Sequence, residues 1–451
     1  MTDDDTPRSA GEGVAADGRR RGIGAGDDLG ARTRALHSGW SGDPETGARA
    51  PPIYQTTSYA FPDADTAADL YALEREGDVY TRISNPTTRV LEKRLADLEG
   101  GVDAVATASG MAAIDTATSL LARAGDNVVA SADMYGGTST YLAHMASRRG
   151  VDLRTVETTD YEAYAEAVDE DTAFVHVETL ANPSLVTPDV ECIADIAHEH
   201  AVPLVVDNTF ATPALCRPIE HGADIVWDST TKWIHGAGTT VGGVLVDGGT
   251  FPWDHPAADY PELSGENPAF DVDFAERFGE RAFAQVARHR GVRTLGNPQS
   301  PFDAWQTLQG LATLPIRMEK HCENARIVAE HLRDHPDVAW VTYPGFADHP
   351  THDNASEYLD GFGGMVVFGL EDGYEAAKGV CEAVELVSFL ANIGDARSLI
   401  IHPASTTHAQ LTPDEQRAAG VSPDLLRLSV GIEDPADIVA DLDRAITEVT
   451  A

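Results

Sequence analysis

Lys232 lies in Ser229-Thr230-Thr231-Lys232-Trp233, directly after the apolar run Ile225–Trp227. The chain has four lysines, and the other three, Lys93, Lys320 and Lys378, fall in stretches with helical spacing and polar faces. A lysine at a strand end can be desolvated, which lowers its pKa and makes its amine a nucleophile. The plain alternative is a snorkelling surface lysine. Ser229-x-x-Lys232 also fits the SxxK pattern of serine acyl-enzymes, whose SDN and KTG partner motifs are missing from this sequence.

Asp207 ends the apolar run Leu204-Val205-Val206. A carboxylate there needs a cation or backbone donors, because burying it bare costs several kcal/mol. Metal ligation and capping are its other readings. Ser109-Gly110-Met111 opens a helix whose first N–H groups can hold an anion, with Gly110 allowing close backbone approach. Ser109 also reads as an ordinary N-cap. Tyr80 and Arg82, two residues apart on an extended chain, point the same way and can both donate to one phosphate, or form a surface pair. Arg427, inside the strand-like run Arg427–Gly431, wants a carboxylate, either the protein's own or a substrate's. The sixteen histidines form no HExxH, and no strand-to-helix GxGxxG occurs, so neither a metal centre nor a dinucleotide site is expected.

These residues need elements to carry them. Short apolar runs at Asp103–Thr107, Asn127–Ala130, Phe174–Val177, Leu204–Val206, Ile225–Trp227 and Gly242–Val246 alternate with helical stretches such as Tyr161–Val168 and Val190–His200. That alternation predicts an α/β fold with a parallel sheet covered on both faces. Sites in such sheets lie at the carboxyl ends of the strands, where Asp207 and Ser229–Lys232 fall. Residues 250–296 read as a long surface excursion, and helical pattern resumes after Pro301. Residues 1–31 hold almost no large apolar side chain and read as a disordered tail; Arg19–Arg21 precede no apolar run of the kind an export signal needs.

The chain has 451 residues, enough for two or three domains. Its 73 acidic residues against 32 basic ones give a net charge of −41. Such a surface repels phosphate backbones and anionic lipid, so no nucleic-acid or membrane partner is expected. So few lysines beside so many acids also fits selection for solubility at high salt, although GC-rich codon bias would act the same way. Cys192, Cys216, Cys322 and Cys381 are far apart, which fits a reducing, cytoplasmic setting.

The ordered set Tyr80-x-Arg82, Ser109-Gly110-Met111, Tyr135-Gly136-Gly137, Asn182-Pro183, Asp207-Asn208-Thr209, Ser229-x-Thr231-Lys232 and Arg427-Leu428-Ser429 resembles the pyridoxal-phosphate enzymes of Cys/Met metabolism, the cystathionine γ-synthase-like family, from about residue 32 onward. The resemblance implies fold-type I (aspartate aminotransferase-like) architecture: an arm over 32–84, a large cofactor domain over 85–299 and a C-terminal α+β domain over 300–451. It implies a pyridoxal 5'-phosphate cofactor. Lys232, Tyr135 and Asp207 would be the catalytic set: the imine-forming lysine, the ring that stacks on the cofactor and the partner of the pyridine nitrogen. Gly110, Met111, Ser229 and Thr231 would hold the phosphate, Asn182 the ring hydroxyl oxygen, and Arg427 and Asn392 the substrate carboxylate. Tyr80 and Arg82 would be lent by a neighbouring subunit, which implies a homodimer or homotetramer with shared sites.

The 250–296 stretch, Leu308–Leu311 and Asn392–Leu399 resemble the long form of the O-acetylhomoserine sulfhydrylase branch. That branch implies γ-replacement, in which O-acetyl-L-homoserine and sulfide or methanethiol give homocysteine or methionine plus acetate. A cystathionine γ-synthase or γ-lyase would share every cofactor residue. Two departures argue against those activities: Arg397, where cystathionine-handling members usually carry Glu and where a cation would repel the far ammonium group, and Gly137, where methionine γ-lyases carry Cys.

Overall fold

The computed structural model describes residues 29–451 apart from 266, 268, 408, 410, 411, 413–415 and 417–419. The tail expected over 1–31 falls mostly outside these residues, and the chain is helical from Ala31 to His37. The first sheet holds β1 (Asp103–Thr107), β2 (Asn127–Ser131), β3 (Asp152–Val156), β4 (Thr172–Glu178), β5 (Leu204–Asp207), β6 (Ile225–Asp228) and β7 (Gly243–Asp247), in the spatial order β1-β7-β6-β5-β4-β2-β3. β2 through β6 pair in parallel, in the spatial order β3-β2-β4-β5-β6, as the alternation predicts. β7 departs from that expectation and runs antiparallel between β1 and β6. A parallel return needs a crossover, usually a helix. The residues after β6 are instead spent on the turns that carry Lys232, so the chain folds straight back. β3 was not foreseen; its residues are mostly half-buried or exposed, so it lacks an apolar run to betray it.

Alternation along each strand builds two cores. Leu204 and Val206 face one layer with Leu91, Leu95 and Ile193, while Val205 faces the other with Ile114 and Leu120. The second layer is completed by residues 250–296, which are not a surface excursion. Phe251, Trp253, Tyr260, Leu263, Phe274 and Phe283 are all buried there, and the Tyr260 hydroxyl donates to the Ala173 carbonyl at 2.9 Å. A parallel sheet needs cover on both faces, and each large apolar side chain withdrawn from water contributes about 1.5–3 kcal/mol.

The helix Pro86–Glu99 starts on an Asn85 cap with Pro at its first turn and stops at Gly100, whose φ of 82° suits glycine. The helix Gly110–Leu121 is capped by Ser109, which accepts from Ala112 N–H at 3.1 Å. A second sheet contains β8 (Val338–Thr342), β9 (Met365–Leu370), β10 (Ser388–Phe389), β11 (Leu399–Ile401) and β12 (Leu425–Ser429), in the order β10-β11-β12-β9-β8. It packs against the helices Leu314–Arg333, Gly373–Ala383 and Pro435–Thr450.

Candidate active site

The carboxyl ends of β4, β5 and β6 face a cavity of about 750 Å³. Gly110, Met111, Tyr135, Asn182, Asp207, Ser229, Thr231, Lys232, Asn392 and Arg427 all line it. Residues from both sheets therefore meet, the last two arriving from the segment after β10 and from β12. Tyr80 and Arg82 do not join them. They stand between the helices Ala64–Tyr71 and Pro86–Glu99, where Tyr80 bridges Ser58, the Arg82 guanidinium lies 5.4 Å over the Tyr80 ring, and Arg82 donates to the Arg293 carbonyl.

Lys232 Nζ donates to Asn392 Oδ1 at 2.6 Å. Burial, helped by the positive charge of Arg427, lowers the amine to about 8. A useful fraction is thus neutral and nucleophilic near neutral pH. Arg427 donates to Asn182 Oδ1 at 3.0 Å and has no carboxylate partner among the described residues. Burial lowers even this guanidinium, to about 10. A buried cation without an anion is the reception a ligand carboxylate requires.

The floor has the opposite imbalance. Asp207 accepts the Thr209 N–H at 2.9 Å, has no cationic partner among the described residues, and is pushed up to about 7 by burial. Glu178, which the sequence analysis did not single out, is its register partner on β4. Glu178 accepts the Tyr135 backbone N–H, and burial followed by the charge of Asp207 raises it well above the ordinary carboxyl range. A signal for Glu178 was present: like Asp207, it is an acid ending an apolar strand run.

The anion end is built on backbone. Ser109 takes the Ala112 N–H and Ala113 bonds back to the Ser109 carbonyl, which leaves the Gly110 and Met111 N–H groups without helical partners. A Cβ on Gly110 would lie 2.8 Å from that of Ser229, so only glycine lets this helix start close on the Ser229–Lys232 run. The Thr231 hydroxyl exchanges hydrogen bonds with the backbone of Gly242 at 3.1 Å. Tyr135 is 46% exposed, at the side of the cavity. A Cβ on Gly137 would fall 2.4 Å from its ring, so a larger residue at 137 would move the tyrosine.

The donor set fits a phosphate-bearing pyridine aldehyde. A cation-free buried acid suits a protonated ring nitrogen, a part-neutral amine suits an aldehyde, and a helix start with spare N–H groups suits a phosphate. Among the described residues no group of three His, Cys, Asp or Glu could hold a metal, and no helix is long and apolar enough to cross a membrane.

Arg397 forms a two-pronged pair with Asp395, at 2.9 Å on each side, and does not line the cavity. Its charge is answered locally, so it gives no ground for excluding a substrate ammonium group.

The family model for Cys/Met metabolism PLP-dependent enzymes matches residues 32–447. An O-acetyl-L-homoserine sulfhydrylase of Leptospira meyeri is 46% identical, over 92% of this chain and 96% of its own. A homocysteine synthase of Schizosaccharomyces pombe is also 46% identical, over 92% of this chain and 97% of its own. A crystal structure from Campylobacter jejuni, named as an O-acetylhomoserine (thiol)-lyase and containing a pyridoxyl-lysine monophosphate residue, superposes with a TM-score of 0.87 at 37% identity, covering 93% of this chain and all of that one.

Proposed function

The chain belongs to the Cys/Met metabolism PLP-dependent enzyme family, and from that premise we propose that it joins sulfide to the four-carbon unit of O-acetyl-L-homoserine, giving L-homocysteine and acetate for methionine biosynthesis; methanethiol in place of sulfide gives methionine. The pairing that carries this reading is a part-neutral Lys232 amine beside an Arg427 guanidinium with no carboxylate of its own. The names of the relatives across nearly the full chain support it.

Bound pyridoxal phosphate supplies an electron-withdrawing ring that accepts the electron pair left when a Cα proton departs. The chain's own groups do the rest. Arg427, aligned by Asn182, grips the substrate α-carboxylate with a charge-assisted pair. Asn392 orients the Lys232 amine. Lys232 Nζ takes the Cα proton and then a Cβ proton, after which acetate leaves Cγ and the sulfur nucleophile adds there. Asp207 would answer the charge of a protonated ring nitrogen, and Glu178, which anchors the Tyr135 backbone, would fix the phenol that stacks on the cofactor. Gly110, Met111, Ser229 and Thr231 would hold the phosphate.

Residues 32–84 serve as the arm, with Tyr80 and Arg82 completing the phosphate end of a neighbouring subunit's cavity. The enzyme works in the cytoplasm as a homodimer or homotetramer. Purified protein loaded with cofactor should absorb near the visible edge and release acetate from O-acetylhomoserine when sulfide is added. Running cysteine and cystathionine as rival co-substrates separates this reaction from a cystathionine synthase or a γ-lyase. Loaded enzyme that releases no acetate with sulfide would overturn the reading.

A further inference from the structure

Behind the cavity floor three polar side chains are wholly buried: Glu99 at the end of the helix Pro86–Glu99, Asn208 directly after Asp207, and Asp228 directly before Ser229. Asn208 is a hub. Its Nδ2 donates to both Glu99 oxygens, at 3.0 and 3.1 Å, and to the Cys216 carbonyl at 3.0 Å. Its Oδ1 accepts the Thr179 hydroxyl at 3.0 Å, and its backbone N–H donates to the Trp227 carbonyl at 2.9 Å. The same three residues thus tie the ends of β4, β5 and β6 to one helix.

The Glu99 carboxyl, held by Asn208, faces that of Asp228. As a bare carboxylate, however, Asp228 would have no donor on either oxygen, both of which are shut away from solvent. Two ionised carboxylates side by side without water or a cation repel each other and leave buried acceptors unmet. Among the described residues neither carboxyl has a cation as its ion-pair partner. Arg217, the guanidinium that acts on Glu99, is spent on Glu220 at 2.7 Å. The other titratable groups facing the pair are Asp207 on β5, which adds negative charge, and the Cys216 thiol, whose own pKa burial pushes up.

We propose that Glu99 and Asp228 share a single proton, and that this hydrogen-bonded acid pair is a positioning unit holding the β5 and β6 ends, and with them Asp207 and the Ser229–Lys232 run, against the helix Pro86–Glu99. Its effect on the chemistry is indirect, through Asn208 and Ser229. Burial, then the charge of Asp207, holds Asp228 at about 8, and burial likewise holds Glu99 well above its ordinary value, which fits a proton retained at neutral pH.

The test uses cofactor-loaded protein and the variants Asp228→Asn, Glu99→Gln and Asp228→Ala. Either amide supplies the N–H that the shared proton supplies in the native pair, but Glu99→Gln is the harsher change, because its NH2 replaces one of the two oxygens that accept the Asn208 NH2. A carboxyl with a raised folded pKa keeps its proton on folding, so that stability drains away as pH climbs from the ordinary value of 3.8 through about 8. Asp228→Asn should therefore melt close to wild type at pH 5 and several degrees higher at pH 8.5, and Glu99→Gln should gain on wild type over the same range from a lower start. The infrared carbonyl band of a buried carboxylic acid should weaken in both. Asp228→Ala should loosen cofactor binding by roughly tenfold or more, and Asp228→Asn should restore it to within about twofold. Amide variants that track wild type from pH 5 to 8.5 with the acid band intact would overturn the proposal. So would failure of both to fold, because one amide must be tolerated. No step of this test reads turnover, so its outcome is independent of the substrate assigned above.

Discussion

Two buried charge clusters lie on the same sheet and are handled in opposite ways. Beside β1, Arg288 pairs with Glu92 at 2.9 Å, Arg89 bridges Glu92 at 2.7 Å and Asp103 at 3.0 Å, and Gln285 caps the second Asp103 oxygen at 3.1 Å. Burial opposes ionisation of Asp103, but Arg89 and Arg288 outweigh it and hold the carboxyl below its ordinary value. At the cavity, among the described residues, Asp207 and Glu178 have no cation as partner and Arg427 no anion, and all three are pushed toward neutrality. Burial with full pairing makes structure. Burial with the partners left out makes a place where a ligand supplies them, and the protein gives up stability to keep it.

The sharpest way to break this contrast is Lys232→Ala. Turnover should fall by at least about 10³-fold, and the visible absorbance of the loaded enzyme should vanish while the melting curve holds. Next comes Glu92→Ala, which strands two guanidinium groups. It should cost about 3–5 kcal/mol in denaturant titration, and the loss should appear as stability, with KM little changed in whatever protein remains folded. Arg427→Ala should raise the KM for O-acetylhomoserine by about 10- to 150-fold, the loss of one charge-assisted carboxylate contact of about 1.5–3 kcal/mol.

A smaller effect separates the clusters by sign. In cofactor-free protein, Asp207→Asn should raise the melting temperature by a few degrees at pH 8, because wild type loses stability as pH rises from 3.8 through about 7. Asp103→Asn should lower it, since the stability held by a depressed carboxyl is present above its ordinary value and lost as pH falls through the folded one. Equal signs for the two would dissolve the contrast. The smallest change is expected from Arg326→Ala, which cuts the exposed pair with Glu330 and should move stability by less than about 0.5 kcal/mol.

Much of the site could be read from local pattern. Asp207 and Lys232 announce themselves because each ends or follows an apolar run, and a buried strand must finish somewhere polar. Glu178 obeys the same rule yet stayed hidden, since an acid after a strand is also the ordinary start of a loop; only its register with Asp207 makes it part of the floor. Residues 250–296 misled for a related reason. Acids and prolines between the aromatics look like surface, and burial of those aromatics depends on a sheet face that lies elsewhere in the chain. Arg397 misled because the argument from sequence placed its charge in the cavity, whereas Asp395, two residues earlier, captures it.

The order of apolar runs and the single lysine outside a helical stretch are one-dimensional facts that determined the α/β architecture, and the ordered motifs, through the family they resemble, gave the cofactor and most of the residues that line the cavity. Partnership between distant groups is a different matter. Whether Arg427 finds a carboxylate, whether β7 runs against its neighbours, and which of Glu99, Asp103, Glu178 and Asp228 keep a proton were decided only on folding. Electrostatic energy inside a protein depends on distances of a few ångströms and on the exclusion of water, and neither exists until segments hundreds of residues apart are pressed together.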